Sequence, residues 1–203
     1  MKSELSNPQT LNDRMAELIR QKIVHGEFTP GQRLSEAALS ESLEISRNTL
    51  REVFRLLTKE GLLKHEPNRG VFVAIPSIAS IIDIYRVRRL IECQALAQAY
   101  PRHPAKKHLR DAVEMALRCR DAGDWQGVGT ANMEFHMAIV ELADSERLNV
   151  VFSHLLAELR LAFGLLNDPE FLHMPYVEMN VNILELFEAG KLQEAAAALN
   201  EYL

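Results

Sequence analysis

Cysteine is nearly absent. Two thiols, Cys93 and Cys119, in a chain of 203 residues exclude a disulfide-built scaffold and a cysteine-rich metal cluster. Both lie within helical patterns, where free, buried thiols are expected. Apolar residues make up 47% of the chain, yet no run reaches the roughly 18 residues that a membrane-spanning helix needs. No membrane partner is therefore expected. Met1 to Thr10 is polar, so no secretory leader is expected and a cytoplasmic protein is implied. The chain has no Gly-rich phosphate loop, no nucleophile–base pairing and no paired-carboxylate spacing. It also has no internal repeat and no low-complexity segment.

A strong positive charge is missing too. The formal net charge is −5, but the acidity is uneven. Residues 1–76 hold 11 Lys+Arg against 10 Asp+Glu, and the remainder holds 12 against 18. If the first part meets a polyanion, it must do so through the placement of a few cations rather than bulk charge.

Such placement is visible between Ser46 and Leu63. Leu50, Val53, Phe54 and Leu57 form an i, i+3, i+4, i+7 apolar stripe. Ser46 stands as an N-cap, and Ile45 and Leu50 have hydrophobic-staple spacing. Gly61 closes the helix as a left-handed C′ residue. The opposite face carries Arg47, Asn48, Arg51 and Arg55. Leu34-Ser35 repeats the staple-and-cap pattern ahead of a short helix, Glu36 to Leu43, and Leu43-Glu44-Ile45 leaves room only for a tight turn. Upstream, Leu11, Met15, Leu18, Ile19 and Ile23 mark a longer helix of the same core, ending near His25-Gly26. Downstream, Leu62–His65 and Val71–Val73 read as two strands joined by the hairpin Pro67-Asn68-Arg69-Gly70. Three helices and a two-stranded wing make a winged helix-turn-helix.

The spacings G-x-x-x-P-G-x-x-L-S-E (Gly26–Glu36), S-R-x-x-x-R-E (Ser46–Glu52), E-G-L and P-N-R-G-V resemble the GntR family of bacterial transcription regulators. The resemblance implies DNA contacts by Ser46, Arg47, Asn48, Thr49 and Arg51, and by the wing tip Asn68, Arg69 and Gly70. Asn48-Thr49 replaces the Thr-Pro that relatives often carry, and Asn48 suits a bidentate contact to adenine. Ala37 stands where some relatives have a DNA-contacting arginine.

From about Ser77 the period is helical throughout. Helices are expected near 77–100, 105–121, 125–142, 146–167, 176–189 and 191–203. Asp124 and Ser145 serve as N-caps, and breaks fall at Pro101 and Pro104, Asn167-Asp168-Pro169 and Gly190. Short loops between six helices suggest an antiparallel all-helical bundle. The fold class is thus mostly α, with a winged helix-turn-helix domain over 1–76 followed by an antiparallel helical bundle over 77–203, for which the family resemblance implies effector binding and dimerisation. The last helix reaches Leu203 without a natural stop, so further chain is expected. Y-R-V-R-R-L-I-E (Tyr85–Glu92), N-M-E-F-H (Asn132–His136) and I-L-E-L-F-E-A-G-K (Ile183–Lys191) resemble the FCD effector domain of the FadR-like branch.

Many FCD domains hold a divalent metal with one Asp and three His. Here those positions fall at Asn132, His136, Asn180 and Tyr202. One imidazole survives, so no tightly bound zinc or other cofactor is expected. The four residues instead form a candidate hydrogen-bonding cluster for an organic acid or acyl conjugate, with Arg88 and Arg160 as candidate anion partners. Arg88 and Glu92 are also spaced for a simple intrahelical ion pair.

The resemblance implies a ligand-responsive regulator, commonly a repressor. It would act as a homodimer on double-stranded DNA bearing an inverted repeat, with a small-molecule effector. An enzyme is not expected. The rival readings are a helical enzyme fused to a DNA-binding module, which requires turnover or stoichiometric metal, and a ligand-free architectural DNA binder, which would lack a pocket.

Overall fold

The computed structural model describes residues 10–166 and 168–203. The polar start of the chain (1–9) and Asn167 in the expected break lie outside the described residues. The N-terminal helix α1 (Leu11–Val24) opens on a capping box in which the Thr10 side chain accepts from Asp13 N–H and Asp13 accepts from Thr10 N–H. It buries Ala16, Ile19 and Ile23. Leu11 and Leu18, expected in the core, are 46% and 44% exposed. The stripe runs through Ala16 instead, because a small side chain lets α1 approach its neighbour closely.

Strand β1 (Arg33–Leu34) was not expected. It precedes α2 (Glu36–Ser42), capped by Ser35, and α3 (Arg47–Lys59), capped by Ser46 Oγ accepting from Thr49 N–H at 3.1 Å. All four stripe residues of α3 are buried. Glu44 (φ 54°) makes the turn between the two helices, and Gly61 (φ 78°) follows the end of α3. The wing consists of β2 (Leu63–Glu66) and β3 (Gly70–Val73), and the sheet order is β1-β3-β2, all antiparallel. Arg33 faces Phe72, and Leu34 faces Val71. The wing therefore has three strands rather than two. A two-residue strand carries too few side chains to show a period in sequence.

The second part comprises α4 (Ile78–Gln98), α5 (Lys106–Asp121), α6 (Trp125–Glu141), α7 (Glu146–Phe163), α8 (Pro169–Glu188) and α9 (Leu192–Tyr202). Ser77, Asp124, Ser145 and Asp168 cap their helices through side-chain oxygens. Two boundaries differ from expectation. Helix α7 stops at Phe163 rather than 167, and α8 begins at Pro169 rather than 176. Pro169 occupies the first turn, where its missing N–H costs nothing. Pro175 lies inside α8, exposed as Phe171 and Met174 are, and the helix continues through it.

Helix α6 is the hub. It is buried over Val128–Met133 and again at Phe135, His136 and Ala138–Val140. One core joins Leu96, Leu109, Phe135, Ile139, Phe187 and Leu199, and another joins Met133, Val140, Phe152 and Leu156. Each such fully buried large side chain contributes about 1.5–3 kcal/mol. The winged part does not close its core alone, because Ala157 and Leu161 of α7 sit in it beside Ile19, Ile23 and Leu57.

Candidate nucleic-acid interface and buried polar site

The polar face of α3 is outward. Arg47, Asn48, Arg51 and Arg55 are all exposed. Arg51 pairs with Glu36 (Nε–Oε2 3.0 Å), Arg55 with Glu52 and Arg69 with Glu66, and the three arginine side chains are 55%, 71% and 71% exposed. Exposed pairs of this kind contribute little and open readily. Phosphates could displace them at small cost. Ser46 and Thr49 bond to one another (2.9 Å), so Ser46 is occupied in capping while remaining exposed. At the wing tip Asn68 has φ 61° and Gly70 φ 109°, and Arg69 lies over the Phe72 ring at 5.4 Å. Asn12, at the start of α1, lines a concavity of about 440 Å³ with Asn48, Thr49, Arg51, Glu52 and Arg55. The stripe pattern gave no sign of Asn12, because an isolated amide on a helix carries no period.

In the bundle four helices converge on one buried cluster. Helix α4 supplies Arg88 and Glu92, α6 supplies Asn132 and His136, α8 supplies Asn180 and α9 supplies Tyr202. Arg88 Nε donates to Glu92 Oε1 (2.7 Å), and the other carboxylate oxygen lies 2.5 Å from His136 Nδ1. His136 Nε2 lies 2.9 Å from Tyr202 OH, which lies 2.9 Å from Asn132 Oδ1. Asn180 Nδ2 donates to the same oxygen at 2.8 Å. Burial opposes ionisation of Glu92, but Arg88 and His136 outweigh it and hold the carboxyl below its ordinary range. Burial drives His136 down. A neutral His136 with its proton on Nδ1 toward Glu92 presents Nε2 as an acceptor, and the single Tyr202 proton then has two acceptors within reach. Two atoms are left over. Arg88 Nη2 and Asn180 Oδ1 are buried and have no hydrogen-bond partner among the described residues.

Residues 11–73 match the family model described as bacterial regulatory proteins, gntR family, and residues 83–203 match the FCD domain model. The chain belongs to the GntR family. A GntR protein of known structure from Rhodococcus sp. RHA1 is 36% identical and superposes with a TM-score of 0.86, covering 94% of this chain and 92% of that one. McbR/YncC of E. coli shares the fold at 22% identity, with a TM-score of 0.79 and coverage of 95% and 92%. The HTH-type transcriptional repressor RspR of Escherichia coli (strain K12) is 32% identical over 99 residues, 49% of this chain and 43% of RspR. The Nta operon transcriptional regulator of Aminobacter aminovorans is 29% identical over 123 residues, 60% of this chain and 58% of that protein. The chain thus spans about half the length of these two curated relatives. The GntR and FCD relatives are transcriptional regulators by name, and no described helix is long and apolar enough to cross a membrane.

The four positions expected from the FCD resemblance to hold a metal, Asn132, His136, Asn180 and Tyr202, come together in this cluster, and the donors they present are poor ones for zinc. The set offers one imidazole with both nitrogens engaged, two carboxamides and a phenol. Burial pushes the Tyr202 hydroxyl far above its ordinary range, so it keeps its proton. Glu92 is the member that sequence reasoning missed. Its spacing from Arg88 was legible, but its reach across to α6 was not.

Arg160 does not join this cluster, contrary to expectation. Its Nε donates to Val24 O at 2.9 Å, and its Nη2 reaches Gln126 O at 3.5 Å. It sits at the junction of α1, α6 and α7, where Gln126 Nε2 also donates to His25 O at 3.1 Å. An arginine on a helix face cannot reveal from sequence which neighbour it faces.

Proposed function

We propose that this GntR-family chain is a sequence-specific DNA-binding transcription regulator, in the main a repressor, whose occupancy of DNA is set by a small organic acid or acyl metabolite. The division of labour is a winged domain over 1–76 and an effector-binding and dimerisation domain over 77–203. As a homodimer it would place two copies of α3 in successive major grooves of an inverted-repeat operator. Arg47, Asn48 and Arg51 would meet bases or phosphates, Ser46 and Thr49 phosphates, and the Asn68-Arg69-Gly70 tip the neighbouring groove. Support for self-association comes from α4, where Ile78, Ile82 and Leu90 are 78%, 50% and 73% exposed. The place of action is the cytoplasm.

The observation that carries the effector reading is Arg88 Nη2, a buried cationic donor with no acceptor among the described residues. A buried polar group left unpaired is costly, and a ligand carboxylate would satisfy it. Asn180 Oδ1 is an orphaned acceptor in the same cluster and would take a ligand hydroxyl or amide N–H. No tightly bound zinc takes part in this reading.

Selection of duplexes from a random pool tests the DNA half of the proposal, and a thermal-shift screen of organic acids and acyl conjugates tests the other. The expected results are an inverted-repeat consensus and an acid that raises Tm and changes duplex affinity. A pool that enriches no sequence sinks the regulator reading. If no acid stabilises the protein while chelation lowers its Tm, the site is a metal site instead.

A further inference from the structure

Arg160 is a buried cation without an anion. It is 8% exposed, and among the described residues no carboxylate lies within 4 Å of it. Its partners are two neutral carbonyls, one of them at a long 3.5 Å. Elsewhere in this molecule a buried arginine is matched: Arg88 has Glu92, and Arg20 has Glu60. A guanidinium taken out of water ordinarily needs a charged partner.

The surroundings add a second observation. His173 is 2% exposed and stands beside the guanidinium. Room for the pair is kept by Gly129, well inside α6. A Cβ built there would lie 2.5 Å from Arg160 Nη1 and 2.7 Å from His173 Nε2. Glycine within a helix costs about 1 kcal/mol relative to alanine, so its presence here is explained by the space it leaves. The two side chains line a cavity of about 210 Å³. Its other walls include Phe28 and Pro30 from the winged part and Phe163 and Leu166 from the bundle.

We infer that this cavity is a binding site for a small hydrophobic monocarboxylate, with the carboxylate on Arg160 beside His173 and the apolar body against Phe28, Pro30 and Phe163. The site is separate from the Arg88 cluster and does not depend on the reading of that cluster. Its position gives it a consequence. Arg160 and Gln126 hold the carbonyls of Val24 and His25 at the end of α1. A carboxylate drawing the guanidinium toward itself competes with those bonds and changes how firmly the winged part is tied to α6 and α7.

Benzoate, its neutral isostere benzamide and inorganic phosphate separate charge from shape. Calorimetry on the full chain should show benzoate binding, with benzamide weaker by about tenfold or more, as expected for loss of a charge-assisted bond. Phosphate should bind less well than benzoate. Arg160→Gln should lose benzoate by a similar factor, and Arg160→Lys, which keeps the cation, should recover part of it. The imidazole resonances of His173, assigned with His173→Gln, should move in the unaltered protein on adding benzoate and stay put with benzamide. This last readout needs no altered Arg160 to fold. The inference is overturned if benzoate fails to bind, if benzamide binds as well, or if saturating benzoate leaves the His173 resonances unmoved, as it would when seated at Arg88.

Discussion

Glu92 Oε2 lies 2.5 Å from Nδ1 of His136, across 44 positions of sequence and the gap between α4 and α6. Both side chains are fully buried, and Glu92 also holds Arg88. Among the described residues this carboxylate is the only one bonded to either partner. Glu92→Leu should therefore strand a buried guanidinium and cost about 3–5 kcal/mol, read as a lower urea midpoint. The double change Arg88→Met with Glu92→Leu should recover much of that loss, because a buried ion pair often contributes no more than a well-packed apolar pair. Additive losses in the double variant would refute this account of the cluster.

Arg51→Ala tests the outward face of α3. The Arg51–Glu36 pair is well exposed on both sides, so its loss should change stability by no more than about 0.5 kcal/mol. Operator affinity, measured by fluorescence anisotropy, should fall by about 5- to 150-fold for a contact contributing about 1–3 kcal/mol. Unchanged affinity would mean that Arg51 does not touch DNA.

The winged part was legible because its signals are local. Ser35 and Ser46 cap helices that start immediately after them, and Leu50, Val53, Phe54 and Leu57 bury themselves at the spacing that announces them. The same holds for the starts of α4, α6 and α7, whose caps Ser77, Asp124 and Ser145 stand immediately before them. Where pairing is non-local, reading stops short. Strand β1 exists only because Leu34 reaches Val71, and α8 runs from Pro169 straight through Pro175, a residue that locally argues for a break. The candidate site divides along the same line. Asn132 and His136, one turn apart on α6, could be placed on one face. That His136 meets Tyr202, and that Arg160 faces Val24 rather than Arg88, depends on how helices cross, which no single stretch encodes.

Gly129→Ala offers a test in which propensity and packing oppose each other. On propensity alone the change should stabilise α6 by about 1 kcal/mol. The added methyl would meet the Arg160 guanidinium and the His173 ring well inside contact distance. Relief requires Arg160 to give up its bond to Val24 O. Gly129→Ala should therefore destabilise, by about 1–3 kcal/mol as for overpacking in a core, and a raised Tm would show that the crowding is relieved without cost.

The last prediction concerns acid. Burial, reinforced by the charge of Arg160, lowers the pKa of His173 to about 4, against about 6.5 in an unfolded chain. Arg160 is the charged group against its ring, and Phe163 packs edge-on at 5.9 Å. Above pH 6.5 the imidazole is neutral in both states, and this contribution to stability is complete. As pH falls below 6.5 the unfolded chain takes up a proton that the folded one refuses, so unfolding becomes easier. The loss should approach roughly 3 kcal/mol near pH 4, at about 1.4 kcal/mol per unit of difference. His136, also lowered by burial, adds a loss of the same sign, so the comparison must be made against His173→Gln, which leaves His136 in place. The stability of the unaltered protein minus that of His173→Gln should fall steadily, by roughly 3 kcal/mol from pH 7 to pH 4, in urea titrations. A difference that stays constant over that interval would mean that His173 accepts its proton as readily when folded, and that neither its burial nor Arg160 excludes it.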